Sequence, residues 1–240
     1  MNDIDLRIER KRLIISAVIP VIFLIICWLI KLTELSLDIN LSNYSIYPRH
    51  WKSLWGIFLM PLLHGDLGHL AANSITFFVL GTGIFYFYRE IALKIWGYSW
   101  VFTGILTWII GRESYHIGAS GLIYAFAGFL FLSGILRNNL RLMAISLLIV
   151  FLYGGMVWGV FPTDTNVSWE GHLSGLIVGF VLAYIYRAKG PQREQYSWEL
   201  ESDEDDPQSS SYGSRQYEIK YFYKENGSEK EPEDDNPDNE

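Results

Sequence analysis

The amino-acid sequence predicts an all-α membrane protein: a bundle of six transmembrane helices followed by a disordered acidic tail. Half of the 240 residues are hydrophobic and the mean hydropathy is +0.16, an apolar excess typical of integral membrane proteins. The apolar residues are gathered into runs long enough to cross a bilayer. Charge is segregated as well. Residues 188–240 carry 6 Lys/Arg against 16 Asp/Glu, a net of −10, whereas residues 1–187 carry 13 against 10, a net of +3. The overall −7 therefore describes the tail and not the core. Cys27 is the one cysteine and lies in an apolar run, which excludes an internal disulfide and a cysteine-based metal site.

Leu13–Ile30 is the first apolar run, preceded by Arg7, Arg10, Lys11 and Arg12. A basic start before a hydrophobic stretch also fits a signal peptide. No small-x-small cleavage site follows at Cys27–Leu32, however, and the run is long for a signal core, so an uncleaved first helix is expected. Five further spans follow at about 67–88, 91–110, 117–136, 142–161 and 171–187. With six spans, ten Lys/Arg of the loops and ends, from Arg7 to Lys189, fall on one side. Lys31, Arg49, Lys52 and Arg112 fall on the other. The positive-inside rule makes the first side cytoplasmic and places both termini there.

The connection at 32–66 holds Trp51, Trp55, Phe58, Leu59, Met60, Leu62 and Leu63. It is amphipathic but too interrupted to span, and reads as an interfacial or partly re-entrant element. The tail after Arg187 is rich in Glu, Asp, Ser, Asn and Pro and is expected to be disordered, with Tyr217–Tyr223 its only apolar patch. The expected organisation is a cytoplasmic segment at 1–12, a membrane domain at 13–187 and a cytoplasmic tail at 188–240.

Polar side chains at membrane depth are functional candidates by default. The second, fourth and sixth spans all begin on the outer side. Their first turns hold His64, His69 and Asn73; Ser120 and Tyr124; and Gly171, His172 and Gly175. Three chain-distant polar clusters thus converge on one layer. His69 and Asn73, four apart, share a helix face and can donate to one oxygen. Tyr124, four after Ser120, can pack on an imidazole. Gly171, Gly175 and Gly179 make two small-xxx-small steps, answered by Gly121, Ala125 and Gly128, so that two backbones can approach closely. Ser120 then comes within reach of His172, the minimum for an activated serine. Ser120 at a helix N-terminus also offers backbone N–H groups, with those of Ala119 and Ser120 joining His69 and Asn73 as oxyanion donors.

Each motif has a plainer reading. A Gly-x-Ser-Gly step at a helix start is a common packing device, and His69 with Asn73 could cap or glue helices. His172 could bond a neighbouring backbone. Met143 and Met156 read as core or lipid-facing filler, His50 as a loop residue, and His116 as a loop or gate residue.

Taken together, the set resembles the rhomboid intramembrane serine proteases. His64, His69 and Asn73 match the His, then His-x-x-x-Asn, of the second helix in that family. Gly118–Gly121 with Tyr124 match its Gly-x-Ser-Gly and following Tyr, and His172 with Gly175 match its sixth-helix pair. The resemblance covers about 50–187. It implies a rhomboid-like six-helix bundle and a Ser120–His172 dyad without a catalytic acid. It further implies oxyanion assistance from His69 and Asn73, and Tyr124 stacked on the base. Implied partners are single-pass transmembrane substrates within membrane lipid, with no cofactor, metal or nucleic acid. Many rhomboids carry Trp-Arg in the loop before the second helix, where this chain has Trp55-Gly56.

Other classes stay open at this level. A catalytically silent relative would hold transmembrane clients. A zinc hydrolase would draw on His64, Asp66, His69 and His172, although the five-residue step between the first two histidines turns them about 140° apart on a helix. A transporter would show internal symmetry, and no convincing repeat is present. A cell (inner) membrane setting, with the site opening to the outer side, completes the expectation.

Overall fold

The computed structural model describes residues 3–137, 144, 148, 158–162 and 167–191. Among these, every regular element is helical. In chain order they are α1 (Asp3–Leu37), α2 (Gly56–Leu59), α3 (Leu67–Phe87), α4 (Ala92–Ile110), α5 (Ser120–Leu136) and α6 (Trp169–Ile185). By length and composition α1, α3 and α4 can cross a membrane, while α5 and α6 are apolar helices of 17 residues. The expected span at 142–161 falls largely outside the described residues, as does the tail beyond residue 191.

The helix boundaries follow local chemistry. Asp66 caps α3, its carboxylate accepting the His69 N–H at 2.8 Å, and Ser168 caps α6 by accepting from Gly171 N–H at 3.3 Å. The helix of α5 starts at Ser120, three residues later than the apolar pattern alone indicates. Gly118 explains the delay: its φ of 110° belongs to the left-handed region that favours glycine, and it keeps 118 out of the helix. Helix α1 runs beyond the apolar stretch at both ends. Its Pro20 packs against Gly81 of α3, where a methyl group would meet the proline Cγ at 3.1 Å.

Helix α5 occupies the centre, with Ala125, Phe126 and Phe129 fully buried. Phe126 joins Phe23 of α1, Phe77 of α3 and Trp96 of α4 in one ring cluster. Phe23 and Phe77 stack at 4.3 Å, and Phe77 meets the Trp96 edge at 5.1 Å. Trp96 and Phe126 lie 5.5 Å apart. Such pairs contribute about 0.5–1.5 kcal/mol each beyond area burial. Outside this core α1 exposes Ile14, Val18, Ile22, Ile25 and Leu29, the surface expected of a helix solvated by lipid.

The connection between α1 and α3 is a string of short helical turns with an apolar underside. Ile46, Ile57 and Met60 are buried, while Trp51 and Trp55 are 73% and 78% exposed. Gly56 has a steric role here. A methyl carbon at that position would fall on the Ser45–Ile46 backbone, so an arginine in its place cannot be accommodated without moving the loop. An arginine does brace this loop from another position: Arg49 donates to the Gly111 carbonyl at 2.7 Å and lies 3.5 Å from Glu113.

The closest helix contact is between α5 and α6. A methyl carbon on Gly175 would overlap the Gly121 carbonyl oxygen, and one on Gly179 would overlap that of Ala125. Gly128 likewise faces Leu176 at 3.0 Å. The glycine and alanine steps read from the sequence therefore form one continuous backbone-to-backbone seam. Gly175→Leu is expected to destabilise the detergent-solubilised protein by at least the roughly 1–3 kcal/mol of an overpacked core, read as a lower thermal midpoint. An unchanged midpoint would mean the helices are not in this contact.

Candidate functional site

The seam brings the N-terminal turns of α5 and α6 side by side. Ser120 Oγ lies 2.8 Å from His172 Nε2, and His172 Nδ1 lies 2.8 Å from the Gly159 carbonyl oxygen. A carbonyl can only accept, so Nδ1 carries the proton and Nε2 is the lone-pair nitrogen, accepting from the Ser120 hydroxyl. The Tyr124 ring stacks on the imidazole at 4.3 Å with 15° between planes. Gly159 admits this geometry sterically, since a side chain there would collide with the Tyr124 hydroxyl and crowd His172.

On the facing side, α3 presents His69 and Asn73. Both converge on Gly118: a methyl group there would meet His69 Nε2 at 3.1 Å and Asn73 Nδ2 at 3.6 Å. The Asn73 amide nitrogen is buried and has no hydrogen-bond acceptor among the described residues. A buried donor without a partner costs free energy and is the arrangement expected of a group awaiting a negatively charged oxygen. The Ala119 N–H behaves differently. It points at His64 Nε2 at 3.4 Å, while His64 Nδ1 donates to Leu62 O at 3.3 Å. His64 is thus a bridge between the segment before α3 and the residue before Ser120. Burial, aided by nearby His69, lowers its pKa to about 4, so it stays neutral, as its accepting nitrogen requires. His64 and His172 each have both ring nitrogens committed to other partners, which disfavours the zinc set considered above.

A cavity of about 640 Å³ opens over these groups, lined among others by Asp66, His69, Asn73, Ser120, Tyr124 and His172. Its roof is the loop between α4 and α5. His116 sits there, buried and outside hydrogen-bonding contact with Ser120. Its Nε2 donates to Arg112 O at 3.1 Å and its Nδ1 accepts from Ser168 at 2.5 Å. Burial lowers its pKa as well. The loop is stitched to the α1–α3 connection by the Ile46–His116 bridge and a Ser45 hydroxyl bond to the His116 carbonyl. It is tied to α6 through Arg112, whose backbone N–H donates to Glu170 at 3.2 Å.

The structure places the site residues read from the sequence as follows: His172 touches both Ser120 and Tyr124, His69 and Asn73 lie against Gly118 and line the same cavity, His64 accepts from Ala119 N–H, and Gly121 and Gly175 form the seam. Sequence reasoning missed Gly159, whose contribution is a carbonyl and has no side-chain signal. It also missed Ser168 and Glu170, although Ser168-Trp169-Glu170 before an apolar run is a readable helix start.

Comparison with known proteins places the chain in a family. An uncharacterized protein of Mycobacterium tuberculosis is 32% identical over 197 residues, covering 78% of this chain and 80% of its own. One of Mycobacterium leprae is 34% identical over 196 residues, covering 78% and 76%. A Bacillus subtilis protein, whose name assigns it provisionally to the rhomboid proteases, is 28% identical over 153 residues, covering 63% and 75%. The Rhomboid domain family matches residues 52–189. The chain belongs to the rhomboid family and is a multi-pass membrane protein.

Proposed function

We propose that the protein is an intramembrane serine endopeptidase that cuts single-pass membrane proteins in or next to their transmembrane segments. The observation that carries this reading is the 2.8 Å contact between Ser120 Oγ and an imidazole nitrogen whose tautomer the Gly159 carbonyl determines. Ser120 Oγ attacks the scissile carbonyl carbon while His172 Nε2 takes its proton. The resulting imidazolium keeps its Nδ1–H on Gly159 O and its face on Tyr124. The oxyanion receives hydrogen bonds from His69, Asn73 and the Ser120 N–H at the α5 terminus, with Ala119 N–H available if it leaves His64. His172 then protonates the leaving amine, and water entering through the cavity releases the acyl group. No cofactor or metal is called for.

Six spans with both termini cytoplasmic, in the cell (inner) membrane, complete the proposal, with 13–187 as the membrane domain between a short N-terminal segment and the acidic tail. Helix α5 has 17 residues, or about 25 Å, less than the roughly 30 Å hydrocarbon layer. Ser120 at its start would then lie below the outer surface. The non-helical loop above it is tolerated at that depth because protein groups satisfy its backbone.

A serine-reactive fluorophosphonate applied to the detergent-solubilised protein is expected to label wild type. Ser120→Ala and His172→Ala should each lose labelling and substrate cleavage by roughly a thousandfold or more. Retained labelling in Ser120→Ala would refute the nucleophile. An inert wild type, beside a rhomboid that labels, would turn the reading toward a silent binder of transmembrane clients. Asn73→Ala should leave the dyad in place yet slow acylation about 10²–10³-fold, the cost of one oxyanion donor; an unchanged labelling rate would remove Asn73 from that role.

A further inference from the structure

Helix α1 carries, near its C-terminal end, two charged residues that are hidden from solvent. Lys31 is 8% exposed and Glu34 is 4% exposed. An ammonium group has three protons and no acceptor, and here all three are matched. Lys31 Nζ donates to the His64 carbonyl at 3.0 Å, to the Gly65 carbonyl at 2.9 Å and to Glu34 Oε2 at 3.3 Å. The other Glu34 oxygen accepts the Leu41 N–H at 2.8 Å, which holds the chain where it leaves α1. A buried ion pair is weak evidence for stability in itself, because desolvation offsets the attraction. Its placement here is more informative than its energy.

Both carbonyls it grips belong to the two residues before Asp66, the cap of α3. From them the chain of bonds runs directly into the proposed active site. The His64 ring accepts from Ala119 N–H, next to Ser120. Asp66 holds His69 N–H and so fixes the first turn from which His69 and Asn73 project. Neither Lys31 nor Glu34 lies within residues 52–189, where the family match runs.

We propose that Lys31, held by Glu34, is a positioning residue for this active site: it clamps the His64–Gly65 backbone, and through it sets the donors that receive the oxyanion. The inference rests on the serine-hydrolase reading, and its test separates the two. A separate hydrogen bond joins α1 to α3 nearby, from Trp28 Nε1 to Ser74 Oγ at 3.1 Å, without touching the loop. It supplies the control for mere helix docking.

The double variant Lys31→Met/Glu34→Gln removes both charges, so that no uncompensated ion is left buried and the fold is retained. Lys31→Arg is a second variant that keeps the charge, although a planar fork cannot place three protons on acceptors gathered around one nitrogen. Three readouts are compared with wild type and Trp28→Phe: the thermal midpoint, the rate of fluorophosphonate labelling per folded protein, and hydrogen exchange of the amides at 63–69. Both Lys31 variants are expected to label about ten- to a hundredfold more slowly and to exchange faster at 63–69, while Trp28→Phe leaves both readouts unchanged. Labelling of folded Lys31 variants at the wild-type rate would overturn the clamp, as would an equal slowing in Trp28→Phe. A wild type that does not label would remove the hydrolase reading instead. The clamp on the loop would then stand or fall on the exchange data alone.

Discussion

The structure depends on how closely two helix backbones approach one another. Where the backbones of α5 and α6 run closest, a glycine hydrogen occupies the space that a methyl carbon would need, at Gly175 against Gly121 and at Gly179 against Ala125. Lipid supplies no hydrophobic drive for helix association, so contact of this kind has to rest on packing at short range. The consequence is chemical as well as structural. Ser120 opens one helix and His172 lies in the first turn of the other. Only when the axes run this close do a short hydroxyl and an imidazole meet at hydrogen-bond distance.

A hydroxyl at a helix start requires non-helical chain before it, and that chain carries polar backbone groups that must be bonded where water is scarce. The segment at 112–119 meets this demand with protein partners. His116 donates its backbone N–H to the Ile46 carbonyl and makes ring bonds with Ser168 and Arg112. Gly118 N–H donates to Met60 O at 2.9 Å. The connection between α1 and α3 is therefore part of the site's support, and its many short turns are what let it lie flat against this loop. Gly56 and Arg49 serve the same end, one by leaving room and the other by bridging to Gly111.

How much of this was legible in the sequence depends on what each part is made of. The convergence of Ser120, His172, His69, Asn73 and Tyr124 on one cavity was legible because the proposed chemistry needs those side chains, and helical spacing tells which of them share a face. The seam was legible because only small residues permit it. The extents of α3, α4 and α6 followed from apolar runs, whereas α1 runs past its apolar stretch at both ends and the late start of α5 required knowing that Gly118 adopts a positive φ. Other parts left no trace. Gly159 acts through its carbonyl, which every residue possesses. Lys31 looked like a loop charge, and only the folded chain shows its three acceptors gathered from two distant segments. His116 read as a loop or gate residue, and its ring is spent on holding the loop to α6. The Ala119 N–H, a natural oxyanion donor by position, is directed at His64 in the resting structure.

If Ser120 and His172 form one reactive pair, its oxyanion sits between α3 and the start of α5. The decisive measurement is the structure of the protein after reaction with diisopropyl fluorophosphate. The expected result is a phosphorus bonded to Ser120 Oγ, with its non-bridging oxygen accepting from Asn73 Nδ2 and His69 and with His172 still on Gly159 O. A phosphorus on any other residue, or an oxygen turned away from Asn73 and His69, would contradict it.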